Sequence, residues 1–350
     1  MSHSFHINLH SILLTAITLL IATALTSSCD RNTLRRDQGI IWNTTYNITY
    51  ESGRPMSDSI ARVLNEVTAS LSVFDSTSVV SRVNRADSMR VNKDFINVYN
   101  VARKVNALSQ GMYDPTISPL IDAWGFGRGH KVTADTTRID SILQFCGIAK
   151  TRLVGDMLVK DDPRVAFNLS SIAKGYGCDR VAEMMRRNGI DNFLIEIGGE
   201  IMAGGTKRGA DFWTISVDKP IDGGDNVVHQ SQCLVALSNS GLATSGNYRN
   251  YHREGGSNFG HIISPVTGRP VATDVLSATV AARTAAEADA LATALMAMGS
   301  EKAIMMVNSR KIPAMMVLCD SSVWMSETFR LLVDMAEGKR NARDTGLPII

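Results

Sequence analysis

The sequence predicts a single domain of the α+β class. Strand-like segments cluster in the second half of the 350-residue chain, among segments with helical spacing, which is typical of α+β proteins. No repeat of fixed period and no Pro- or Ser-rich linker divides the chain. With 44% hydrophobic residues, the chain can bury a large core. A net charge of +2 with interspersed signs predicts no nucleic-acid partner, because such proteins concentrate basic residues on one face.

The amino terminus predicts export and lipid anchoring. The stretch Ile12–Leu25 carries no charge and is too short to span a bilayer comfortably, as in the apolar region of a secretory signal. Small residues then lead to Cys29, which resembles the lipidated cysteine of bacterial lipoproteins. A plain cleaved signal or an uncleaved anchor is the alternative, because no Lys or Arg precedes Arg31. Asp30 indicates the periplasmic face of the inner membrane under the enterobacterial sorting rule.

These features divide the chain into four segments. The sequence predicts a signal peptide over residues 1–28, a tether over 29–38 that begins with lipidated Cys29, a domain over 39–335 and a polar tail over 336–350. The tether is assigned because the residues after the cysteine are polar. The domain is assigned because the strand and helix patterns begin after it.

The first half of the domain is mostly helical. Ile40–Tyr50 alternates and is rich in β-branched and aromatic residues, which predicts one strand. Apolar residues then recur at helical spacing over Ser57–Phe74 and Lys93–Gln110, with Ser57 as a candidate N-cap. A shorter helix is predicted over Thr136–Phe145.

The second half alternates helices with strands. A helix is predicted over Ser170–Asn188, with Ser170 or Ser171 as its N-cap and Gly189 just past its end. The Ala-rich segment Thr284–Met298 has high helix propensity. Lys302–Val307 is the last predicted helix. Strands are predicted over Asn192–Ile197, Phe212–Val217, Gln232–Ser238, Asn258–Ser264, Ala314–Leu318 and Trp324–Met325.

Two segments have the composition of ligand-binding loops. In Gly111–Gly127, two prolines interrupt any helix and aromatic residues flank Gly125, so the loop can offer aromatic faces and backbone N–H groups to a ring system. A surface turn with a buried Trp is the alternative. In Asn168–Asp179, hydroxyls and N–H groups at a helix start, with Lys174 one turn inside, favour an anion or phosphate site. An ordinary cap with a solvated lysine is the alternative there.

Two further patterns suggest catalysis. His261 ends a predicted strand before a Pro/Gly turn, where a rigidly held imidazole can act as a general base; a structural histidine is the alternative. Asp289 and Thr293 stand four residues apart on a predicted helix, so both project from one face. A carboxylate, a hydroxyl and nearby carbonyls suit Mg²⁺. The alternative for Asp289 is a local hydrogen bond.

In this order, the segments resemble the ApbE family of FAD:protein FMN transferases from about Trp42 to about Leu318. The landmarks are WNTTY, DPTISPLIDAWGFG, NLSSIAKGYGCD, EIGGE, LATSGNY, HIISPVTGRP and EADALATAL. The resemblance implies a T-fold-like core of antiparallel sheets with packed helices. It also implies Mg²⁺-dependent transfer of FMN from FAD to a Thr or Ser hydroxyl of an acceptor flavoprotein, with release of AMP. The implied acceptors are membrane-associated subunits of Rnf and Nqr redox complexes.

The resemblance also implies residue roles. His261 would deprotonate the acceptor hydroxyl. Asp289 and Thr293 would ligate Mg²⁺, with Ser171 and a backbone carbonyl near Ala292 as additions. The residues implied to contact FAD are Trp42, Phe74, Gly125, Phe126, Gly127, Asn168, Lys174 and Ile263.

The chain departs from the family pattern at three places. Trp42-Asn43-Thr44 stands where the family commonly has Met-Gly-Thr, and Asn168 and Ser264 stand where it often has Asp. The pair Asp289 and Thr293 is kept, so activity is expected. Two alternatives remain: an FAD pyrophosphatase, in which water replaces the acceptor hydroxyl, and a lipoprotein that binds flavin without chemistry.

Overall fold

The computed structural model describes most of the chain. The described residues are 33–127, 135–221, 230–246, 251–254, 257–260 and 262–339. The predicted signal peptide, Cys29 and His261 lie outside them. None of the described helices is both long enough and apolar enough to cross a bilayer.

The described strands and helices alternate along the chain. The strands are β1 (Thr33–Ile41), β2 (Thr44–Ser52), β3 (Ser88–Arg90), β4 (Thr151–Val154), β5 (Met157–Lys160), β6 (Phe193–Ile197), β7 (Glu200–Gly204), β8 (Trp213–Asp218), β9 (Ser231–Leu237), β10 (Gly241–Gly246), β11 (Tyr251–Glu254), β12 (Ser257–Gly260), β13 (Val275–Ala282), β14 (Ala314–Leu318) and β15 (Val323–Met325). The helices are α1 (Ser57–Leu71), α2 (Val79–Arg85), α3 (Lys93–Leu108), α4 (Ser118–Ala123), α5 (Thr136–Leu143), α6 (Ser170–Arg187), α7 (Ala285–Met298), α8 (Ser300–Arg310) and α9 (Glu327–Ala336).

An eight-stranded antiparallel sheet lies at the centre, in the order β1-β2-β6-β7-β10-β13-β14-β15. Helix α6 packs on β6 and β7, and α7 packs on β10, β13 and α6. The opposite face is covered by the β8–β9 hairpin and by α9. Successive strand residues point to opposite faces, so on β7 Met202 faces α6 while Ile201 and Ala203 face the β8–β9 side. The predicted α+β class with antiparallel sheets is confirmed.

The amino-terminal strand prediction is wrong in one respect. Ile40–Tyr50 is a hairpin instead of one strand, because Trp42 and Asn43 have φ of 50° and 58° and reverse the chain between β1 and β2. A two-residue turn with both residues in the left-handed region matches the twist of paired strands. Residues 33–38, assigned to the tether by the sequence, form the first part of β1.

Two predicted helix caps also differ from the structure. Met56 occupies the N-cap position of α1, and the Ser57 hydroxyl donates to Asp37 Oδ1 instead, at 2.5 Å. At α6 the N-cap position is Leu169, and the Asn168 side chain accepts the Ser170 N–H at 3.0 Å. At α6 the amide oxygen of Asn168 therefore accepts the first N–H of the helix, whereas at α1 no side chain caps the first turn and Ser57 acts as a donor.

Candidate active site

A cavity of about 1260 Å³ opens between α6, α7 and the loops beside them. It exceeds the roughly 300–1,000 Å³ of pockets for drug-sized ligands, so it has room for a dinucleotide. The cavity is lined by the eight residues that the resemblance assigns to FAD and by three that it assigns to Mg²⁺, whereas Ala292, near the further suggested carbonyl ligand, does not line it. The assigned residues that line it are Trp42, Phe74, Gly125, Phe126, Gly127, Asn168, Ser171, Lys174, Ile263, Asp289 and Thr293.

The predicted metal ligands converge from two helices. Asp289 on α7 is 4% exposed, and its Oδ2 accepts the Gly175 N–H at 3.2 Å. One turn later, Thr293 Oγ1 shares a hydrogen bond of 3.2 Å with Ser245 Oγ. Ser171 Oγ on α6 donates to the Tyr113 hydroxyl at 3.3 Å. The arrangement presents one carboxylate and several hydroxyls to the cavity.

Burial and a nearby cation affect the charge state of the groups around the predicted metal ligands. Burial raises the pKa of Asp289, and the positive charge of Lys174 opposes that rise. Burial likewise raises the pKa of the Tyr113 phenol, so it stays neutral. Among the described residues there is no group of three or more His, Cys, Asp or Glu side chains that could hold a metal. A metal here would therefore keep positions for water or phosphate, as Mg²⁺ usually does.

Lys174 has a buried partner that the sequence analysis did not single out. Its Nζ donates to Glu200 Oε1 at the start of β7, and Glu200 is 2% exposed. Burial favours the neutral amine, but the charges of Glu200 and Asp289 outweigh it and raise the pKa of Lys174. The ammonium is thus held at the cavity wall. The signal in the sequence was an acidic residue after Gly198-Gly199, inside an otherwise apolar run.

Two aromatic side chains border the cavity differently. Trp42 Nε1 donates to Thr68 Oγ1 at 2.8 Å, and its ring lies so close to α6 that a Cβ on Gly177 would stand 2.5 Å from it. The indole is therefore fixed by its surroundings. Phe74 is 75% exposed and lies at the mouth, where its ring is free to contact a ligand.

The Pro-bracketed loop is tied down by hydrogen bonds. Asp114 accepts the N–H groups of Thr116 at 2.8 Å and Ile148 at 2.9 Å, and Trp124 Nε1 donates to the Gly268 carbonyl at 2.8 Å. A Cβ on Gly127 would stand 1.6 Å from Asp122 Oδ1, so a larger residue there would displace that carboxylate. Both alternatives for this loop therefore hold in part. Trp124 has a structural role, as in a turn with a buried Trp, while Gly125, Phe126 and Gly127 line the cavity, as in a ligand-binding loop.

Asn168 and Ile263 combine structural contacts with cavity lining. The Asn168 N–H donates to the Pro115 carbonyl at 2.7 Å, which joins the start of α6 to the Pro-bracketed loop. Ile263 is buried and bridges to Pro270 across the Pro/Gly turn. Contact of either residue with FAD stays a prediction. His261 lies outside the described residues, so its role as a base also stays a prediction.

Known proteins resemble this chain over most of its length. A family model described as the ApbE family matches residues 42–316. A protein of Vibrio cholerae named FAD:protein FMN transferase is 35% identical over 292 residues, which cover 80% of this chain and 86% of the relative. A Haemophilus influenzae protein of the same name is 30% identical, and the match covers 86% of this chain and 91% of the relative.

Solved structures agree with the sequence relatives. The flavin transferase ApbE from Vibrio cholerae has a TM-score of 0.75 and 32% identity, covering 86% of this chain and 99% of that chain. The apo flavinyl transferase ApbE from Pseudomonas stutzeri has a TM-score of 0.75 and 27% identity, covering 87% of this chain and 98% of that chain. The match therefore spans the sheet and the helices that surround the cavity.

Proposed function

The chain belongs to the ApbE family, and on that premise we propose that it transfers FMN from FAD to a Thr or Ser hydroxyl of an acceptor flavoprotein. The observation that carries the proposal is the cavity in which aromatic side chains, the Lys174 ammonium and the buried Asp289 carboxylate lie together. Such a combination suits a ligand with a ring system at one end and a diphosphate beside it. The relatives named FAD:protein FMN transferase support the same reaction.

The proposed reaction exchanges a phosphoanhydride bond of FAD for a phosphate ester bond to the acceptor. The acceptor hydroxyl oxygen bonds to the phosphorus of the FMN half, the bond from that phosphorus to the bridging oxygen breaks, and AMP leaves with the bridging oxygen. The hydroxyl proton goes to a base, for which we propose His261. Nothing is oxidised or reduced. Phosphoryl transfer of this kind depends on positioning and on stabilising the charge of the phosphate oxygens.

The described residues supply both requirements. Lys174 presents an ammonium to the diphosphate oxygens, and its ion pair with Glu200 keeps it charged. Trp42 forms a rigid wall, since its ring is packed on α6 and its Nε1 is bonded to Thr68. Rigid groups that need not reorganise during the reaction contribute most to electrostatic catalysis.

We also propose that Asp289, Thr293 and Ser171 hold Mg²⁺. The donors fit, because all three offer oxygen and Mg²⁺ prefers oxygen ligands. The buried Asp289 carboxylate has the Lys174 charge nearby, and its hydrogen-bond partner among the described residues is one backbone N–H, so the carboxylate can still accept a metal. When bound, the ion would neutralise charge on the diphosphate.

Anchoring and acceptor choice complete the proposal. We propose that Cys29 is lipidated after export and holds the domain at the periplasmic face of the inner membrane. There it would meet membrane-associated subunits of Rnf- and Nqr-type complexes. The charge-free Ile12–Leu25 stretch ahead of Cys29 supports this. Labelling with palmitate in cells checks it, since Cys29→Ser should abolish both the label and membrane retention.

Intact-mass spectrometry of an acceptor tests the transfer. The purified, detergent-solubilised chain is incubated with FAD, Mg²⁺ and a Rnf- or Nqr-type subunit. We expect the acceptor to gain the mass of one FMN on a Thr or Ser, and the gain to disappear with EDTA. Thr293→Val should slow transfer at least about a hundredfold while Thr293→Ser, which keeps the hydroxyl, should not.

Each of the other outcomes would indicate a different function for the chain. Unmodified acceptor with free FMN and AMP would mean that water is the acceptor and that the chain is an FAD pyrophosphatase. Unmodified acceptor with intact FAD, across several acceptors, would mean a flavin-binding lipoprotein. Full transfer by Asp289→Asn would show that the metal assignment is wrong.

A further inference from the structure

We propose that Asp179 is a positioning residue that fixes α7, and with it Asp289 and Thr293, against α6. The inference rests on the proposed Mg²⁺ site, because it concerns how the ligands of that site are held. Asp179 is not among the residues that line the cavity, and its hydrogen bonds go to the backbone of α7. It acts through the helix that carries two of the proposed ligands.

The evidence begins with the hydrogen bonds of the Asp179 carboxylate. Its Oδ1 accepts the Ala285 N–H at 2.8 Å and its Oδ2 accepts the Ala286 N–H at 2.9 Å. Ala285 and Ala286 are the first two residues of α7, whose N–H groups have no partner inside the helix. Asp179 lies on α6, so one side chain joins the two helices at two points.

Helix α7 also has an ordinary N-cap, and the comparison shows how the Asp179 hydrogen bonds differ from it. Thr284 Oγ1, just before the helix, accepts the Glu287 N–H at 3.2 Å in the ordinary manner of an N-cap. That bond would stabilise α7 wherever the helix lay. The Asp179 bonds differ, because they are satisfied only when α7 begins at one place beside α6.

Glycines confirm how closely α7 is held at this end. A Cβ on Gly175 of α6 would stand 2.3 Å from the Ala285 carbonyl oxygen, and a Cβ on Gly241 of β10 would stand 2.4 Å from the Ala285 nitrogen. The same residue therefore contacts α6, the sheet and the Asp179 carboxylate. The first turn of α7 has little freedom to move.

The position of Ala285 determines the position of Asp289. The two residues are four apart on one helix, or about 6 Å along its axis, and a helix this short moves as a rigid rod. Ser171 and Lys174, which line the same cavity as Asp289, lie on α6 with Asp179. Functional side chains must be held within about 0.5 Å of their working geometry, so the tie between the helices has a direct effect on the ligand set.

Metal binding without turnover tests the inference. The probe is Mn²⁺, which takes the same oxygen ligands as Mg²⁺. It is titrated into the detergent-solubilised chain without flavin, and the fraction bound is measured from the decrease of the EPR signal of free Mn²⁺. Asp179→Asn keeps the shape but replaces one acceptor oxygen by an NH₂ group. Residues that orient metal ligands commonly affect affinity about 10- to 100-fold, and we expect at least a tenfold loss.

Thr284→Val is the matched control. It removes one hydrogen bond from the same end of α7 and leaves the link to α6 in place. We expect it to lower the melting temperature while Mn²⁺ affinity stays within about twofold of the unmodified chain. If Asp179→Asn fails to fold, Asp179→Glu replaces it, since a longer carboxylate keeps the charge but shifts α7, and it should also weaken Mn²⁺ binding.

The outcomes separate this inference from the proposed metal site. Unchanged Mn²⁺ binding in Asp179→Asn and Asp179→Glu, with loss in Asp289→Asn, would overturn the positioning role alone. Equal losses in Asp179→Asn and Thr284→Val would also overturn it, because helix stability would then explain both. Unchanged binding in Asp289→Asn would mean that the metal lies elsewhere, which contradicts the proposed site itself.

Discussion

Lys174 and Glu200 set the charge balance of the cavity wall. Glu200 is almost completely buried and is bonded to the Lys174 ammonium. Burial raises the pKa of Glu200, and Lys174 opposes the rise. The second oxygen, Oε2, is buried with no hydrogen-bond partner among the described residues. Removing only one partner of such a buried pair is strongly destabilising, because the other partner stays buried without its counter-charge.

A double-mutant cycle tests this pair. Lys174→Met leaves Glu200 buried without a counter-charge, which should lower the free energy of unfolding by about 2–3 kcal/mol, since Lys174 itself is one-third exposed. Adding Glu200→Gln removes the stranded charge, so the double variant should recover most of the loss in urea unfolding. FAD binding should stay weak in both variants, because the ammonium is gone. A double variant no more stable than Lys174→Met would contradict the charged pair.

Among the elements, the contact between α6 and α7 matters most for the site. Gly175 is the residue of α6 that permits it, because a Cβ there would stand 2.3 Å from the Ala285 carbonyl oxygen. The Gly175 N–H also reaches Asp289 Oδ2, so the close approach brings the backbone of one helix to a side chain of the other. Helix spacing and site geometry therefore both depend on Gly175.

Gly175→Ala tests whether the contact is that tight. Helix propensity alone predicts a gain of about 1 kcal/mol, since Ala is favoured over Gly inside a helix. Overpacking against rigid backbone typically costs about 1–3 kcal/mol, so the variant should lose stability instead and should weaken Mn²⁺ binding. Chemical unfolding and the EPR titration measure the two effects. A gain in stability would show that the helices separate at no cost.

Elements with strong local signals were predictable from the sequence. The observed α3, Lys93–Leu108, and α7, Ala285–Met298, agree with their predictions within two residues, because apolar spacing and propensity are local properties. The central strands β10, Gly241–Gly246, and β13, Val275–Ala282, were not predicted. They are rich in Gly, Ala, Ser and Thr, and they become strands through pairing with distant neighbours in the sheet.

The same division applies to the site. Asp289 and Thr293 were predictable because four residues on one helix fix their common face. Glu200 and Asp179 were not, because each acquires its role from a residue distant in sequence. Glu200 needs α6 to pass beside the β6–β7 turn, and Asp179 needs Ala285 to lie next to α6. The local pattern marks Glu200 as unusual in an apolar run, but it does not identify the distant partner of either residue.

At the scale of the whole molecule, the sheet joins the proposed anchor to the cavity. Strand β1 forms one edge of the sheet and begins at residue 33, four residues after Cys29. An extended chain spans at most about 3.5 Å per residue, or about 14 Å here. If Cys29 is lipidated as proposed, the domain lies close to the membrane surface, where membrane-bound acceptors would be within reach.

Truncation tests whether the domain includes the first part of β1. The sequence placed the start of the domain at residue 39, but residues 33–38 pair with β2 in the structure. Arg35 donates to the carbonyls of Ser52 and Gly53 at 3.0 and 2.9 Å, and the buried Tyr50 hydroxyl donates to Asp37 at 2.6 Å. A chain that begins at residue 39 loses these bonds, so it should be less stable than one beginning at residue 33 by at least about 2 kcal/mol.

Asp37→Ala in the longer chain isolates the contribution of the Asp37 carboxylate, which accepts from both Tyr50 and Ser57. Each hydrogen bond contributes about 0.5–1.5 kcal/mol, and more where a buried group loses its partner, so this variant should account for part of the truncation loss and leave the rest to strand pairing. Urea unfolding of chains beginning at residues 30, 33 and 39 gives the comparison. The first two should be equal. Equal stability of all three would show that β1 contributes nothing before residue 39, and that the domain boundary lies where the residue pattern alone placed it.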